Sequence, residues 1–170
     1  MNTRELTLFS MFAAVMFASR LLMQMIPGVH INGLMIAALT LTYRSRALIP
    51  LYLYVALEGL FSGFAMWWVP YVYIWFPLWA AFMFLGKLNL PTNAKTPAYM
   101  IACGLHGLLF GVMYAPVQAL MFGLSFRAMI AWVIAGIPFD IIHAVANTIA
   151  GILILPLVTM MATLKEKQKA

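Results

Sequence analysis

Charge in this chain is confined almost entirely to the ends of six long apolar runs. Only 8% of the 170 residues are charged, whereas about a quarter are charged in a typical soluble domain. So few charges cannot cover the surface of a 19.0 kDa protein that is exposed to water. The pattern therefore predicts an all-α membrane protein, in which residues 1–170 form a single integral-membrane domain.

The lengths of the apolar runs predict six transmembrane helices, because one span needs about 20 apolar residues. The runs cover residues 6–26, 31–43, 47–66, a stretch that continues to 85 after an aromatic break at 67–71, 98–121 and 128–161. The second run is short, which predicts a tilted helix or one extended by the preceding loop. We expect a polar linker at 86–97 and a charged tail at 165–169.

Prolines and glycines predict where these runs break. Pro27-Gly28 ends the first run, and Pro116 predicts a kink in the fifth. The last run is too long for one straight span, and Gly136-Ile137-Pro138 is expected to divide it.

The distribution of basic residues predicts the orientation. With a cytoplasmic N-terminus and six spans, only Arg127 falls in an outer connection, and Arg20 lies within the first run. The residues that fall inside are Arg4, Arg44, Arg46, Lys87, Lys95, Lys165, Lys167 and Lys169. Positive charge concentrates in cytoplasmic loops, so both termini are predicted to be cytoplasmic in a multi-pass plasma-membrane protein.

Three ionisable residues lie inside the predicted membrane: Arg20, Glu58 and Asp140. A charge at the bilayer centre costs on the order of 3 kcal/mol, so each of these groups should face a partner, water or the bundle interior. One interpretation is an internal ion pair of Arg20 with one carboxylate. A pair leaves the second carboxylate unexplained, and the alternative is a ligand site in the outer half of the membrane.

The last run carries the richest polar pattern. Asp140, His143 and Asn147 fall within about 60° of one another on a helix, which gives a row of hydrogen-bonding groups on one face. Gly136 and Pro138 could open the backbone beside that row. The row favours a ligand-binding face. The alternative is an interhelical hydrogen-bond ladder, in which each contact is worth about 0.6 kcal/mol.

Further candidate ligand contacts come from other runs. Tyr54 and Glu58 share a stripe on the third run, Arg20 and Gln24 share one on the first, and His30 with Asn32 could close over a site. Aromatic side chains near the outer surface could stack on a flat ring or simply anchor the protein at the membrane interface. These are Trp67, Trp68, Tyr71 and Trp75. His106 lies among Gly104, Gly107 and Gly111, which predicts a packed histidine between close helices.

Several classes of function lack their sequence signatures. The chain has no GxxxxGK[ST], HExxH or GxSxG motif, and Cys103 is its single cysteine. We therefore predict no catalytic residue, metal or cofactor. The basic residues flank apolar runs and form no stripe, which argues against nucleic-acid binding.

A small-residue pattern, Ala14-Val15-Met16-Phe17-Ala18, lies in the first run, and such patterns let a second helix approach closely. Together with six spans, cytoplasmic termini and the polar stretch from Asp140 to Asn147, it resembles a substrate-binding S component of an energy-coupling factor (ECF) transporter. The resemblance implies that Ala14 and Ala18 dock on a shared transmembrane coupling subunit, which works with two ATPase subunits. It also implies a lid at residues 27–32 and ligand contacts from the last span.

The resemblance implies that the ligand is a water-soluble vitamin. The aromatic and Asp, His and Asn side chains suit a nitrogen heterocycle of the hydroxymethylpyrimidine or pyridoxine type, with cobalamin as the other candidate. Two other functions stay open. One is a self-sufficient transporter coupled to protons through Glu58 and Asp140. The other is a membrane-embedded enzyme that uses Asp140 and His143.

Overall fold

The computed structural model describes residues 3–23 and 30–167, and these residues form helices and turns with no strand. The helices are α1 Thr3–Leu22, α2 Asn32–Tyr43, α3 Leu48–Ser62, α4 Tyr71–Ile74, α5 Phe76–Leu85, α6 Thr92–Leu108, α7 Phe110–Phe122, α8 Phe126–Ala150 and α9 Ile154–Lys167. Short 3-10 turns at Arg44–Ala47, Met66–Trp68 and Gly151–Leu153 connect some of them. The end of the first apolar run, with Gln24 and Pro27-Gly28, lies outside the described residues, as do 168–170.

Four helical stretches of the described chain are long and apolar enough to cross a membrane. They are Thr3–Leu22, Met66–Leu85, Thr92–Phe122 and Phe126–Lys167. Helices α2 and α3 have 12 and 15 residues, fewer than the about 20 that a span needs. The expectation of an all-α protein with membrane-spanning helices is met at this level, with four such stretches where the sequence predicts six.

The helix breaks differ from the sequence predictions. Pro116 lies inside α7, and the break in the fifth run falls at Leu109, between α6 and α7. Pro138 lies inside α8, so the predicted opening at Gly136-Ile137-Pro138 is wrong. A proline removes one backbone hydrogen bond, and a long helix packed against its neighbours tolerates that loss.

The last run is interrupted by a 3-10 turn at Gly151–Leu153, where the chain lies close to α6. A Cβ atom on Gly151 would lie 2.8 Å from the Cα atom of Met100 in α6, so no larger residue fits there.

The polar linker between α5 and α6 is shorter than the predicted 86–97. Pro91 precedes α6 in an extended conformation and Pro97 lies within α6, which leaves 86–91 as the connection.

Helix α2 is the centre of the fold. It is buried along nearly its whole length and contacts α1, α5, α6, α8 and α9. A helix that is apolar on every side belongs in a core, which explains why this short run is hydrophobic all round. Helices α1 and α3 pack against each other, and α1 also contacts α2.

Helices α6 and α8 form the most extensive helix pair among the described elements. Their backbones approach closely at Gly107, where a Cβ atom would lie 2.8 Å from the backbone of His143 and Ala144. The predicted close packing around the glycines of the fifth run is confirmed. This contact fixes the polar face of α8 against α6.

Basic side chains gather at one end of the molecule, where they bind helix ends. Lys165 Nζ donates to the Thr42 carbonyl at 2.7 Å, and Arg44 Nη2 donates to the Met83 carbonyl at 2.9 Å. Arg46 pairs with Glu5 at 2.8 Å. We call this region, defined by Glu5, Thr42–Arg46, Met83 and Lys165, the basic end.

Candidate functional site

An aromatic and histidine cluster surrounds Trp75 near the end of α2 that lies away from the basic end. The ring centroids of five residues lie 5.5–6.3 Å from the Trp75 ring, and Trp75 itself is 2% exposed. These residues are His30, Tyr54, Tyr71, His106 and Phe110. His143 joins the group through His30 at 5.5 Å and Phe110 at 4.8 Å. We call these residues the Trp75 cluster.

Two hydrogen bonds hold parts of the Trp75 cluster in place. Asn32 Nδ2 donates to the Tyr54 hydroxyl at 2.7 Å, which ties the first turn of α2 to α3. His106 Nε2 donates to the Ile74 carbonyl at 2.8 Å, and its ring stacks on Trp75. The prediction that His106 is packed between helices is confirmed.

Most polar atoms of this region have no partner among the described residues. Six buried side-chain atoms lack a hydrogen bond: His30 Nδ1, Asn32 Oδ1, Trp75 Nε1, His106 Nδ1, His143 Nδ1 and Asn147 Oδ1. Asn147 lies against α2, because its Oδ1 would be 3.2 Å from a Cβ atom on Gly33. Each such atom costs about 1–3 kcal/mol when it is buried without a partner. These six atoms belong to the Trp75 cluster or to the asparagines next to it, so unpaired hydrogen-bonding capacity is concentrated in this part of the described structure.

His30 precedes α2 and faces three other groups that carry or can carry positive charge. Burial lowers the pKa of His30 to about 4, and His143, His106 and Arg20 contribute in the same direction. The ring is therefore neutral at physiological pH. A neutral imidazole offers one donor and one acceptor nitrogen, which suits a ligand that itself carries ring nitrogens.

Arg20 and Glu58 form an ion pair beside the Trp75 cluster. Arg20 Nη1 lies 3.2 Å from Glu58 Oε2, and the side chains are 25% and 0% exposed. Glu58 is one helical turn from Tyr54 on α3, so the pair adjoins the cluster. The sequence left two carboxylates open as partners of Arg20, and the structure gives Glu58.

Asp140 accepts a hydrogen bond from the backbone amide of Gly111 at 3.1 Å. Gly111 is in the first turn of α7, where backbone amides lack helical partners, so Asp140 caps α7 from the neighbouring helix. The carboxylate also lines a cavity of about 250 Å³ with His143, Trp132 and Tyr114. Asp140 thus fixes the helix break and faces a space next to the cluster.

Three open spaces reach the cluster, each past a different histidine. The cavity beside Asp140 reaches His143. A groove of about 540 Å³ between His30 and α8 reaches His30, and a groove of about 550 Å³ between α5 and α6 reaches His106. Ligand pockets commonly have volumes of about 300–1,000 Å³.

Three aromatic residues of this region are absent from the sequence-based site. Tyr114 and Trp132 stack at 6.0 Å in the cavity beside Asp140, and Phe110 connects that cavity to Trp75. The position of Trp132 could have been predicted from the helical spacing in the sequence. Trp132 precedes His143 by 11 residues, about 20° away on a helix, so it shares the polar face of α8.

The other predicted site residues lie at the edge or elsewhere. Trp67 lies at the edge of the cluster: its ring is 5.6 Å from Tyr71, and its carbonyl accepts from the Tyr114 hydroxyl at 2.8 Å. Trp68 Nε1 donates to the Val55 carbonyl at 2.7 Å. Ala14 and Ala18 are exposed on α1. Of the predicted lid, His30 and Asn32 lie at the cluster, while 27–29 fall outside the described residues.

The described residues include no group of three or more His, Cys, Asp or Glu side chains that could hold a metal ion. The described residues form a helical protein. Four of its helical stretches are apolar enough to cross a membrane, and its buried polar cluster has hydrogen-bonding atoms without partners. Comparison with known proteins finds no match: no family model, no curated sequence and no solved structure is significantly similar to this chain.

Proposed function

We propose that this protein is a membrane-embedded binding subunit for a small, water-soluble, nitrogen-containing ring compound, of the type represented by the S components of ECF transporters. In this proposal it captures its ligand in the Trp75 cluster and hands it over in a complex with a coupling subunit and two ATPases. It catalyses no reaction.

One observation supports ligand binding above all others: six unpaired buried polar atoms lie in or beside the Trp75 cluster. They come from five parts of the chain: His30 before α2, Asn32 in α2, Trp75 before α5, His106 in α6, and His143 and Asn147 in α8. Buried polar groups are nearly always hydrogen-bonded in folded proteins. A guest that pairs with several of these atoms would relieve that cost when it binds, and ordered water would fill the same role in its absence.

The chemistry of these atoms favours a planar heterocycle. The Trp75 indole donates a hydrogen bond, the amide oxygens of Asn32 and Asn147 accept one, and each histidine can do either. The surrounding rings offer faces for stacking. Hydroxymethylpyrimidine and pyridoxine present ring nitrogens together with amino or hydroxyl groups. A cavity of about 250 Å³ favours ligands of this size over cobalamin.

The proposed topology has six crossings with both termini in the cytoplasm. Helices α2 and α3 would cross with the help of their flanking loops, since α2 is buried inside the bundle and needs no contact with lipid. The basic end would face the cytoplasm. That orientation agrees with the excess of Lys and Arg in cytoplasmic loops and leaves the Trp75 cluster near the outer surface.

The direct test is to identify what the protein binds. We expect mass spectrometry of the purified protein to detect a retained small molecule, and titration calorimetry to show binding of hydroxymethylpyrimidine or pyridoxine, with cobalamin as the third probe. Denatured protein serves as the control for adventitious retention. If no small molecule is retained and none of the three probes binds, the proposed ligand class is wrong.

Partner docking is tested on the exposed face of α1. We expect Ala14→Trp to prevent copurification with the coupling and ATPase subunits, while ligand binding is retained. Ala135→Trp is the matched control, because Ala135 is an exposed alanine on α8. Copurification of the Ala14→Trp protein at the level of the control would exclude this face as the docking surface.

The buried Arg20–Glu58 pair supports one alternative, a proton-coupled transporter that works alone, because intramembrane ionisable pairs often belong to proton relays. Purified protein in sealed vesicles separates the two functions. The binding subunit should show no accumulation of pyridoxine or hydroxymethylpyrimidine under an imposed proton gradient, whereas the alternative requires accumulation without ATP.

A further inference from the structure

An apolar groove runs between α5 and the α6–α7 helices. Its volume is about 550 Å³. Leu85 and Ala98 form one end, and Leu109 and Met113 form the other. From Lys95, one turn before Ala98, to Leu109 the distance along the helix is about 20 Å at the helical rise per residue, which is more than one half of a bilayer core of about 30 Å.

The floor of the groove continues directly into a lysine. Lys95, Ala98, Ala102 and Leu105 follow one another at intervals of three, four and three residues, so they lie on one face of α6. Lys95 is half-buried at the start of this stripe. Lys87 is exposed in the connection just after Leu85, at the same end of the groove.

The helices on both sides of this groove carry no opposing charge. Between Glu58 and Asp140 the sequence contains no Asp or Glu, and its only charged residues are Lys87, Lys95 and Arg127. Arg127 begins α8, at the opposite end of the α6–α7 stretch. The end beside Lys87 and Lys95 therefore complements an anion, while the rest complements a hydrocarbon chain.

We propose that this groove is a binding site for an anionic phospholipid, with one acyl chain along α5 and α6 and the phosphate beside Lys95 and Lys87. Juxtamembrane lysines attract anionic headgroups, and each contributes about 1 kcal/mol near a charged surface. The other large groove, beside His30, has only apolar residues besides that histidine and no lysine at its end.

The site has a second consequence because His106 lines the groove. The same ring stacks on Trp75 at 5.5 Å. An acyl chain in the groove would pack against the outer side of His106 and support its contact with Trp75. The lipid would thus stabilise one wall of the Trp75 cluster whatever that cluster binds.

Native mass spectrometry of the full chain, released from vesicles of equal phosphatidylglycerol and phosphatidylcholine, tests the proposal. We expect wild-type protein to retain phosphatidylglycerol in preference to phosphatidylcholine. The Lys87→Gln/Lys95→Gln protein should lose at least threefold of that preference, and Ala102→Phe should lose most of the bound lipid by filling the groove. Added inorganic phosphate should not displace the lipid, because it lacks the acyl chain.

Matched variants keep the experiment specific. Arg127→Gln removes the basic residue at the opposite end of the α6–α7 stretch, and Ala135→Phe enlarges an exposed alanine on α8, so both should retain lipid as the wild type does. Equal retention of the two lipids, or an unchanged preference in the double lysine variant, would overturn the proposal. A protein dimer that Ala102→Phe abolishes would assign the groove to a second copy of the chain instead.

Discussion

The basic end and the Trp75 cluster lie near opposite ends of α2, and they differ in how far their polar groups are hydrogen-bonded. At the basic end, Lys165 and Arg44 donate to main-chain carbonyls at 2.7 and 2.9 Å, and Arg46 pairs with Glu5. Four buried polar atoms of the Trp75 cluster, and one each on the neighbouring Asn32 and Asn147, have no partner among the described residues.

Cations near the C-terminal ends of helices stabilise the negative end of the helix dipole, so the basic side chains of the basic end serve the fold itself. One buried polar atom of that region, the Tyr43 hydroxyl, has no partner among the described residues, against six in and beside the Trp75 cluster. Under the proposed function, the unpaired atoms of the cluster bind the ligand. Substitutions at the basic end should therefore change stability alone, and substitutions in the cluster should change ligand retention.

The largest expected effect concerns the two ion pairs, one at each end. Arg20→Met leaves the fully buried Glu58 carboxylate without its counter-charge, which should lower the free energy of unfolding by about 3–5 kcal/mol. Arg46→Met removes the partner of Glu5 from an exposed pair in which Arg46 is 62% exposed, and should cost at most about 1 kcal/mol. Thermal unfolding in detergent measures both. If Arg20→Met and Arg46→Met lowered the free energy of unfolding equally, the contrast between the two ends would be wrong.

The second prediction separates two residues on the polar face of α8. Asn147→Ala removes an unpaired buried amide and should weaken binding of the retained ligand by about 10- to 100-fold, as expected when one or two buried hydrogen bonds are lost. Asp140→Asn keeps an oxygen that can accept from Gly111, so the cap and the fold should survive. Calorimetry with the identified ligand checks both variants. Unchanged affinity in Asn147→Ala would exclude that amide from the site.

The third prediction uses two tryptophans of the same segment. Trp75→Phe removes an unpaired indole N–H but keeps an aromatic ring, so ligand affinity should fall by about 10-fold while the melting temperature is unchanged or higher. Trp79 donates to the Arg44 carbonyl at 3.3 Å at the basic end, so Trp79→Phe should lower stability by about 0.5 kcal/mol and leave affinity unchanged. The reverse pattern would show that the cluster is structural.

The sequence predicted well those features that depend on local pattern. The apolar runs located both ends of α2 and the start of α3 to within one residue, while α3 ends at Ser62, before the predicted end at residue 66. Helical spacing placed Asp140, His143 and Asn147 on one face of α8, and glycine spacing predicted that His106 is packed between helices.

Features that depend on contacts between distant segments could not be read in this way. The break at Leu109 lies where Asp140 caps α7, and the break at Gly151 lies where Gly151 approaches Met100 of α6. The prolines that predicted other breaks lie inside continuous helices. The central position of Trp75 is similar. In the sequence Trp75 is one of several aromatic residues. Only the packing of distant segments around it makes it the centre of the cluster.

The smallest expected effect is a pH dependence of stability that arises at the Trp75 cluster and not at the basic end. The pKa of His30 is about 4 in the folded protein, against 6.5 for an unperturbed histidine. Between these values the unfolded chain binds a proton that the folded protein does not, so stability must fall as the pH drops from 6.5 towards 4. Protonated His30 would also face His143, His106 and Arg20, with no carboxylate among the groups that shift its pKa.

We therefore expect the melting temperature of the ligand-free protein in detergent to fall by a few degrees between pH 7 and pH 5. His30→Phe keeps a ring against Trp75 and removes the titrating group, so its melting temperature should change less over the same range. Arg46→Met, at the basic end, should follow the wild-type slope. If the melting temperature of the His30→Phe protein depended on pH as steeply as that of the wild type, His30 would not be the source of the acid sensitivity. The remaining histidines of the cluster would then account for it.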